Sequence, residues 1–306
     1  MEMIPAMKLS LGPIQYYWSR DDIMKFYDEV ARTRVDIVYL GEVVCSKRHR
    51  MRTADWLEVA RMLRAHGKEA VLSTLAMPET EADLRRLRTL VEADAFPIEA
   101  NDLSAIGLLA RRKPFVAGPH VNCYSAPTLD WLAGLGTCRW VAPIECTRDT
   151  LDAIRRQRRS ASEIECLAFG HAPLSFSARC FTARHHQLQK DQCGHRCADY
   201  ASGLEAATLD GQPFIRLNGV QTQTSQVVNL ARAIESMAEA GVSILRISPQ
   251  AEHTAAIIET FADRLHGAIG PDDAYRALCG WQDAAPCDGF WFGQPGVAAT
   301  AGVEAR

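Results

Sequence analysis

The sequence predicts an α/β protein organised as a parallel (β/α)8-type barrel, and three observations carry that expectation. Short β-branched runs alternate with amphipathic stretches throughout the 306-residue chain, the pattern of repeated βα units around a parallel sheet. Eight strand-like runs can be marked, and such barrels commonly hold about 250 residues as one unit. One connection, 171–224, is much longer than the others and rich in Gly, Pro, Cys and His; a segment of that kind inside a compact domain is usually functional. An open doubly wound sheet is the competing architecture.

Taken in order, the strand-like runs are 9–12, 35–41, 69–75, 97–100, 114–118, 138–142, 163–168 and 243–247. Between the first two, Ile23, Phe26, Tyr27 and Val30 recur at the i, i+3, i+4, i+7 spacing that puts them on one face of a helix. Trp56, Val59, Ala60 and Leu63 repeat the pattern after the second strand. Ser225 reads as an N-cap for a helix carrying Val227, Leu230, Ile234 and Met237, which ends at Ala240-Gly241 before the last strand. The tail after Gly293 is expected to be loosely ordered. No internal boundary is drawn, so 1–306 forms a single barrel-like domain with a 171–224 insertion after the seventh strand.

The chain is 47% apolar and 23% charged, with a formal net charge of −3. A core is affordable, and no field argues for nucleic acid as a partner. No secretory leader and no run of about 18 apolar residues is present, so a cytoplasmic protein with no integral membrane segment is expected. Ten cysteines in such a compartment should be thiols, ligands or reactive groups rather than a disulfide framework. There is no His-Glu-x-x-His, Gly-x-Ser-x-Gly, Walker loop or dinucleotide fingerprint.

The strongest local signal is Cys180, Cys193 and Cys197, set among polar residues in the insertion. Three thiols on one loop can converge on a soft metal centre, which makes an iron–sulfur cluster the leading reading. Structural zinc is the rival, with His185, His186 or His195 as a completing ligand. A fourth ligand must come from elsewhere, and Cys45, Cys123 and Cys146 each follow a strand toward the same face. Cys138, Cys166, Cys279 and Cys287 read as ordinary buried thiols. Arg179 and Arg196 stand near enough in sequence to offset thiolate charge. The basic runs 111–113 and 155–159 sit at helix ends and read as solvated; 47–52 leaves a strand end and suits an anionic substrate or partner equally well. Glu42, His120, Glu145 and His171 also lie just past strand ends, but no spacing pairs two of them as acid and base. The catalytic residues are unassigned.

Several stretches resemble the collagenase-like peptidase family over nearly the whole chain: Lys8 to Pro13, Tyr16-Tyr-Trp18, Leu40-Gly-Glu-Val-Val-Cys-Ser-Lys-Arg48, Phe176 to Arg184 and Gly289-Phe-Trp-Phe-Gly293. Within that family they resemble the UbiU/UbiV branch, which serves oxygen-independent ubiquinone biosynthesis. The resemblance implies a barrel-like fold and a 4Fe-4S cluster on Cys45, Cys180, Cys193 and Cys197. It further implies a heterodimer with a UbiU-like protein, a UbiT-like lipid carrier protein, hydroxylation of a polyprenylated aromatic ubiquinone precursor, and prephenate as a candidate oxygen donor. On the same resemblance, Met7 matches the usual start and residues 1–6 form an extension. Pro173 stands where other branches carry a first cysteine, a departure that argues against a borrowed peptidase or tRNA-modifying role. The alternatives are a scaffold subunit stabilised by its cluster, without its own active site, and an RNA-hydroxylation factor.

Overall fold

The computed structural model describes residues 6–93 and 95–300; residues 1–5 of the expected N-terminal extension lie outside them. The first seven strands of the barrel are β1 (Lys8–Leu11), β2 (Ile37–Leu40), β3 (Glu69–Ser73), β4 (Ile98–Ala100), β5 (Phe115–Ala117), β6 (Thr137–Val141) and β7 (Glu163–Gly170). The insertion adds β8 (Pro173–Phe176), β9 (Leu204–Ala207), β10 (Pro213–Asn218) and β11 (Gln221–Thr224). After it come β12 (Val227–Asn229), β13 (Ile244–Ile247) and β14 (Pro286–Cys287). Strands β1 to β7 and β13 are parallel neighbours, and β13 pairs with both β7 and β1, so the eight close into a barrel. All eight sequence-marked strands are therefore present, in a closed and not an open sheet.

Six helices separate the first seven strands: α1 (Arg20–Val30), α2 (Thr53–Ala65), α3 (Glu81–Glu92), α4 (Leu103–Leu109), α5 (Ala126–Leu135) and α6 (Arg148–Gln157). Short α7 (Phe181–His185) lies in the insertion, and α8 (Ile234–Glu239), α9 (Thr254–Leu265) and α10 (Pro271–Trp281) complete the chain. The start signals are local. Ser19, Asp102, Ser125 and Thr147 each accept a bond from an otherwise orphaned amide of the following helix. Thr80 and Asp83 form a reciprocal capping box at α3.

Two sequence expectations are corrected here. The helix drawn from Val227 is in fact strand β12, antiparallel to β7, followed by helix only from Ile234. Its apolar residues are buried, and β-branched Val227 and Val228 suit a short buried strand as well as a helix face. Ser225 caps nothing and instead bonds the Glu205 carboxylate. The tail is not loose as far as Thr300: the Asp288 and Gly289 amides bond the Ala298 carbonyl, and Thr300 donates to the Asp288 carboxylate. Gly289 is required there, because a Cβ would lie 1.9 Å from the Pro295 carbonyl oxygen.

The main apolar core lies between the barrel and its helices, where Leu9, Leu40, Leu72, Phe115, Trp140 and Phe261 are among the buried side chains. Inside the barrel the strand period of two gives a different content. Ile37, Tyr39, Val71, Val116, Val141 and Ile244 form a small separate apolar cluster. The other side chains on that inward face are polar or charged. Glu165 accepts from Ser10, Tyr39 and Arg246 at 2.6, 2.5 and 2.7 Å. Arg246 also reaches Glu99 at 2.7 Å, and Glu99 accepts from Ser73 and Asn101. Toward the amino-terminal end Arg139 binds Glu69 and Glu163.

Removing one member of a buried ion pair strands its partner and costs about 3–5 kcal/mol. Arg246→Met leaves buried Glu99 without its cation and Glu165 with only Arg139 at 4.0 Å, and is expected to lower the urea unfolding free energy by about 3–5 kcal/mol. Exposed pairs such as Arg276–Asp273 should cost under about 1 kcal/mol when broken.

Candidate functional site

The loops at the carboxyl ends of the barrel strands enclose a pocket of about 220 Å³. Its floor is the charged barrel interior, with Glu99, Asn101 and Arg246; Gln15, His120, Tyr124 and Glu145 stand on its walls. Strand β8 roofs it, with Phe176 packing edge-on against the His120 ring at 4.7 Å. Burial and then the charge of Arg246 push the His120 pKa down to about 3, so the imidazole is neutral at physiological pH. A neutral imidazole can donate one hydrogen bond to a ligand there and accept another. Asn101 Oδ1 is buried in the same floor without a donor.

The insertion folds as a four-stranded antiparallel sheet in the order β8-β11-β10-β9, with the cysteine loop between β8 and β9. Its base is held by His171, whose Nδ1 meets the Thr224 carbonyl and whose Nε2 meets the Asp283 carboxylate, both at 2.9 Å. Both partners accept only, so both bonds require the ring to donate from each nitrogen. Asp283 also binds Arg216 of β10 at 2.7 Å. Burial would raise the Asp283 pKa, but His171 and Arg216 outweigh it and hold the carboxyl well below its usual range.

Cys45, Cys180, Cys193 and Cys197 line one small pocket, together with Lys47, Arg48, His195 and Arg196. All four are free thiols and half-buried. They come from two distant segments that are bonded to each other. Lys47 donates to Asp191 at 2.5 Å and to the Lys190 carbonyl at 3.2 Å, and His195 Nε2 donates to the Lys47 carbonyl at 2.9 Å. On the Cys45 side, Glu42 accepts from the Val44 and Cys45 amides. On the other, Cys180 begins α7, its sulfur accepting from the Ala183 amide at 3.4 Å. The loop turns through Gly194 and His195, both at positive φ (56° and 54°), a conformation glycine takes without penalty.

Burial pushes the Cys45 thiol up to about 11 and raises Cys197, opposed in each case by Arg48 among other groups. Deprotonating Cys45 and Cys197 to ligate a metal therefore carries a cost that the metal–thiolate bonds would have to outweigh. Among the described residues, no three His, Cys, Asp or Glu side chains form a ready set for a single ion. A tetrahedral zinc would need its sulfurs drawn in to about 2.3 Å from the metal.

The other sequence candidates are dispersed. Cys123 and Cys146 are buried elsewhere, their thiols pushed to about 11 and 12 by burial. Cys146 lines a separate small pocket with Cys166 and Cys287. Cys138 is exposed, not buried as expected, because it faces outward from β6. His185, His186 and Arg179 do not line the cysteine pocket, and His186 bonds the Tyr200 hydroxyl. His120 and Glu145 share the barrel-mouth pocket, whereas Glu42 lines another cavity and His171 is a structural tie. Sequence reasoning missed Arg246, Glu99, Glu165 and Asp283. The signal for the first three was available: charged residues at alternate positions of strands otherwise reading as fully buried.

The fold and the mouth pocket define a (β/α)8 barrel protein with its candidate sites on the carboxyl face. The model of "Peptidase family U32" matches residues 23–274, and the chain belongs to that family. Among solved structures, the U32 peptidase Mk0906 is similar at 13% identity over 82% of this chain and 96% of that one, with TM-score 0.46. A tryptophan synthase complex from Pyrococcus furiosus follows at 11% identity, 90% and 98% coverage and TM-score 0.44. Dihydropteroate synthase from Thermus thermophilus gives 11%, 87%, 94% and 0.41. Among the described residues no helix is long and apolar enough to cross a membrane.

Asp283 provides a pH test of the insertion's tie. Its folded pKa lies below the unfolded value of about 3.9, so its contribution is present above that value and lost as pH falls through and below it. Asp283→Asn is expected to lower stability at pH 7 and to flatten the acid limb of the stability profile below about pH 4. Urea unfolding between pH 7 and pH 3 measures both effects.

Proposed function

We propose that this chain is a UbiV-type iron–sulfur subunit of an oxygen-independent hydroxylase acting on the ring of ubiquinone precursors. On this reading it works as a heterodimer with a UbiU-like protein, receives its polyprenylated substrate from a UbiT-like lipid carrier protein, and uses prephenate as a candidate oxygen donor. The observation that carries the cluster reading is the meeting of Cys45 with the insertion's three cysteines around one pocket. Of the ten cysteines, these four line one pocket with Lys47, Arg48 and Arg196. The hydroxylase assignment leans on the resemblance in the Cys-Ser-Lys-Arg48 and Ser-Ala-Arg-Cys180 stretches.

A 4Fe-4S group on these thiolates would supply electron transfer or Lewis acidity. The chain's own residues do the rest. Lys47 and His195 hold the two cysteine segments together, and Arg48 offsets thiolate charge. At the mouth pocket, Arg246 and neutral His120 orient a small polar ring, while Phe176 and β8 restrict water. A pocket of about 220 Å³ has room for one small ring.

Anaerobic co-purification with the UbiU-like partner tests the cluster. About four irons and four sulfides per chain, lost in Cys45→Ala, are expected; stoichiometric zinc without sulfide would return the site to a structural metal. His120→Ala separates an active subunit from a scaffold. Loss of at least about tenfold in hydroxylation, with cluster content and heterodimer unchanged, is expected if the mouth pocket acts in the reaction. Full activity would make the chain a scaffold for its partner.

A further inference from the structure

The cations around the cysteine pocket are not equivalent. Lys47 is one-third exposed and paired with Asp191, Lys190 is paired with Glu79, and Arg196 is 47% exposed and paired with Asp199. Arg48 alone among these four is fully enclosed, with 1% of its side chain exposed. Its guanidinium is fixed by neutral acceptors: Nη1 donates to the Gln15 carbonyl and Nη2 to Asn218 Oδ1, both at 2.7 Å. Neutral acceptors fix its position without cancelling its charge. Its one carboxylate partner, Glu42, stands 3.7 Å away, the longest of these four ion pairs, and also accepts from two backbone amides. Arg48 Nε has no hydrogen-bond partner. Behind the guanidinium, Gly219 keeps the space open, since a Cβ there would lie 3.0 Å from Nη2.

We propose that Arg48 is the buried counter-charge of the four-cysteine site and sets the reduction potential of the iron–sulfur group bound there. The proposal rests on the cluster reading above. One-electron reduction adds a negative charge to a thiolate-bound centre that is already anionic. A fixed positive charge in a low-dielectric surrounding stabilises that product far more than an exposed cation can, and added salt does not screen it. Neighbouring charge and burial are established levers on such potentials. Arg48 is a positioning and electrostatic residue here and touches no substrate.

The test is an anaerobic redox titration of the co-purified heterodimer with dithionite as electron donor, followed by visible absorption and electron paramagnetic resonance. Iron and sulfide are quantified in every sample. Arg48→Met is expected to retain the cluster and titrate at a more negative potential, with the gap from wild type unchanged at raised salt. Arg48→Lys, which keeps the charge, should fall closer to wild type, and Arg196→Gln should leave the potential unmoved. A fully loaded R48M protein titrating with wild type overturns the proposal. Should R48M lose iron, Arg48→Gln removes the charge while keeping a polar amide in the same space, and a loaded R48Q protein titrating with wild type overturns the proposal equally. Wild-type protein without iron and sulfide would instead sink the cluster reading itself, and this proposal with it.

Discussion

The structure turns on one buried carboxylate, Glu165, which ties three barrel strands together from inside. It accepts from Ser10 on β1, Tyr39 on β2 and Arg246 on β13, while its own strand pairs directly with β13. A charge in that position needs every lone pair answered, because a buried ion without full bonding is more costly than an apolar filling. The surrounding residues fit this demand. Arg246 lies over the Tyr39 ring at 4.1 Å and passes its second nitrogen to Glu99. Barrels usually fill this space with branched apolar layers. Here apolar filling is confined to a small middle cluster, and the polar upper layer becomes the floor of the mouth pocket.

The insertion solves a different problem. A long loop carrying three cysteines would have to be ordered at the moment of metal binding, at a cost on the order of 1–2 kcal/mol per fixed residue. Folding it as its own antiparallel sheet moves that cost into the folding of the chain. The sheet then docks through a few directional contacts: His171 and Arg216 on Asp283, Tyr16 on Gln223, and Asn218 on the Gln15 carbonyl. Helix α7 is fixed to the β10–β11 turn by Phe181 and Thr182 bonding Gly219. The sheet and α7 thus anchor both ends of the loop that carries Cys193 and Cys197.

What could be read from the sequence followed from periodicity. Eight buried strands and the faces of α1 and α2 were legible because a 2-residue or 3.6-residue repeat survives without tertiary knowledge. The β12 segment was not, since Val227 to Met237 satisfies a helical repeat while its first residues pair with β7. The antiparallel sheet of the insertion escaped for a related reason: β9 and β11, LEAA and QTQT, lack the apolar alternation that marks a strand. The cysteine trio was visible as a cluster in sequence, whereas Cys45 stood level with Cys123 and Cys146 until the resemblance separated them. The folded chain gives the spatial reason: β2 leads into the insertion's loop, while the β5 and β6 connections bury their thiols elsewhere.

The two candidate sites meet at one residue. Gln15 leaves β1 at the barrel mouth, where it lines the pocket, and its backbone carbonyl accepts both Arg48 Nη1 and Asn218 Nδ2 at 2.7 Å. Its side-chain carbonyl accepts from Gln221, whose own oxygen accepts from Asn218. A shift of the β1 loop on ligand entry would thus have to move the guanidinium beside Cys197, break a buried bond, or carry the β10–β11 turn with it. Each bond to a charged donor is worth about 1.5–3 kcal/mol, so the loop and Arg48 move together at less cost than apart. That contiguity couples the mouth pocket to the four-thiol pocket through buried hydrogen bonds at Gln15.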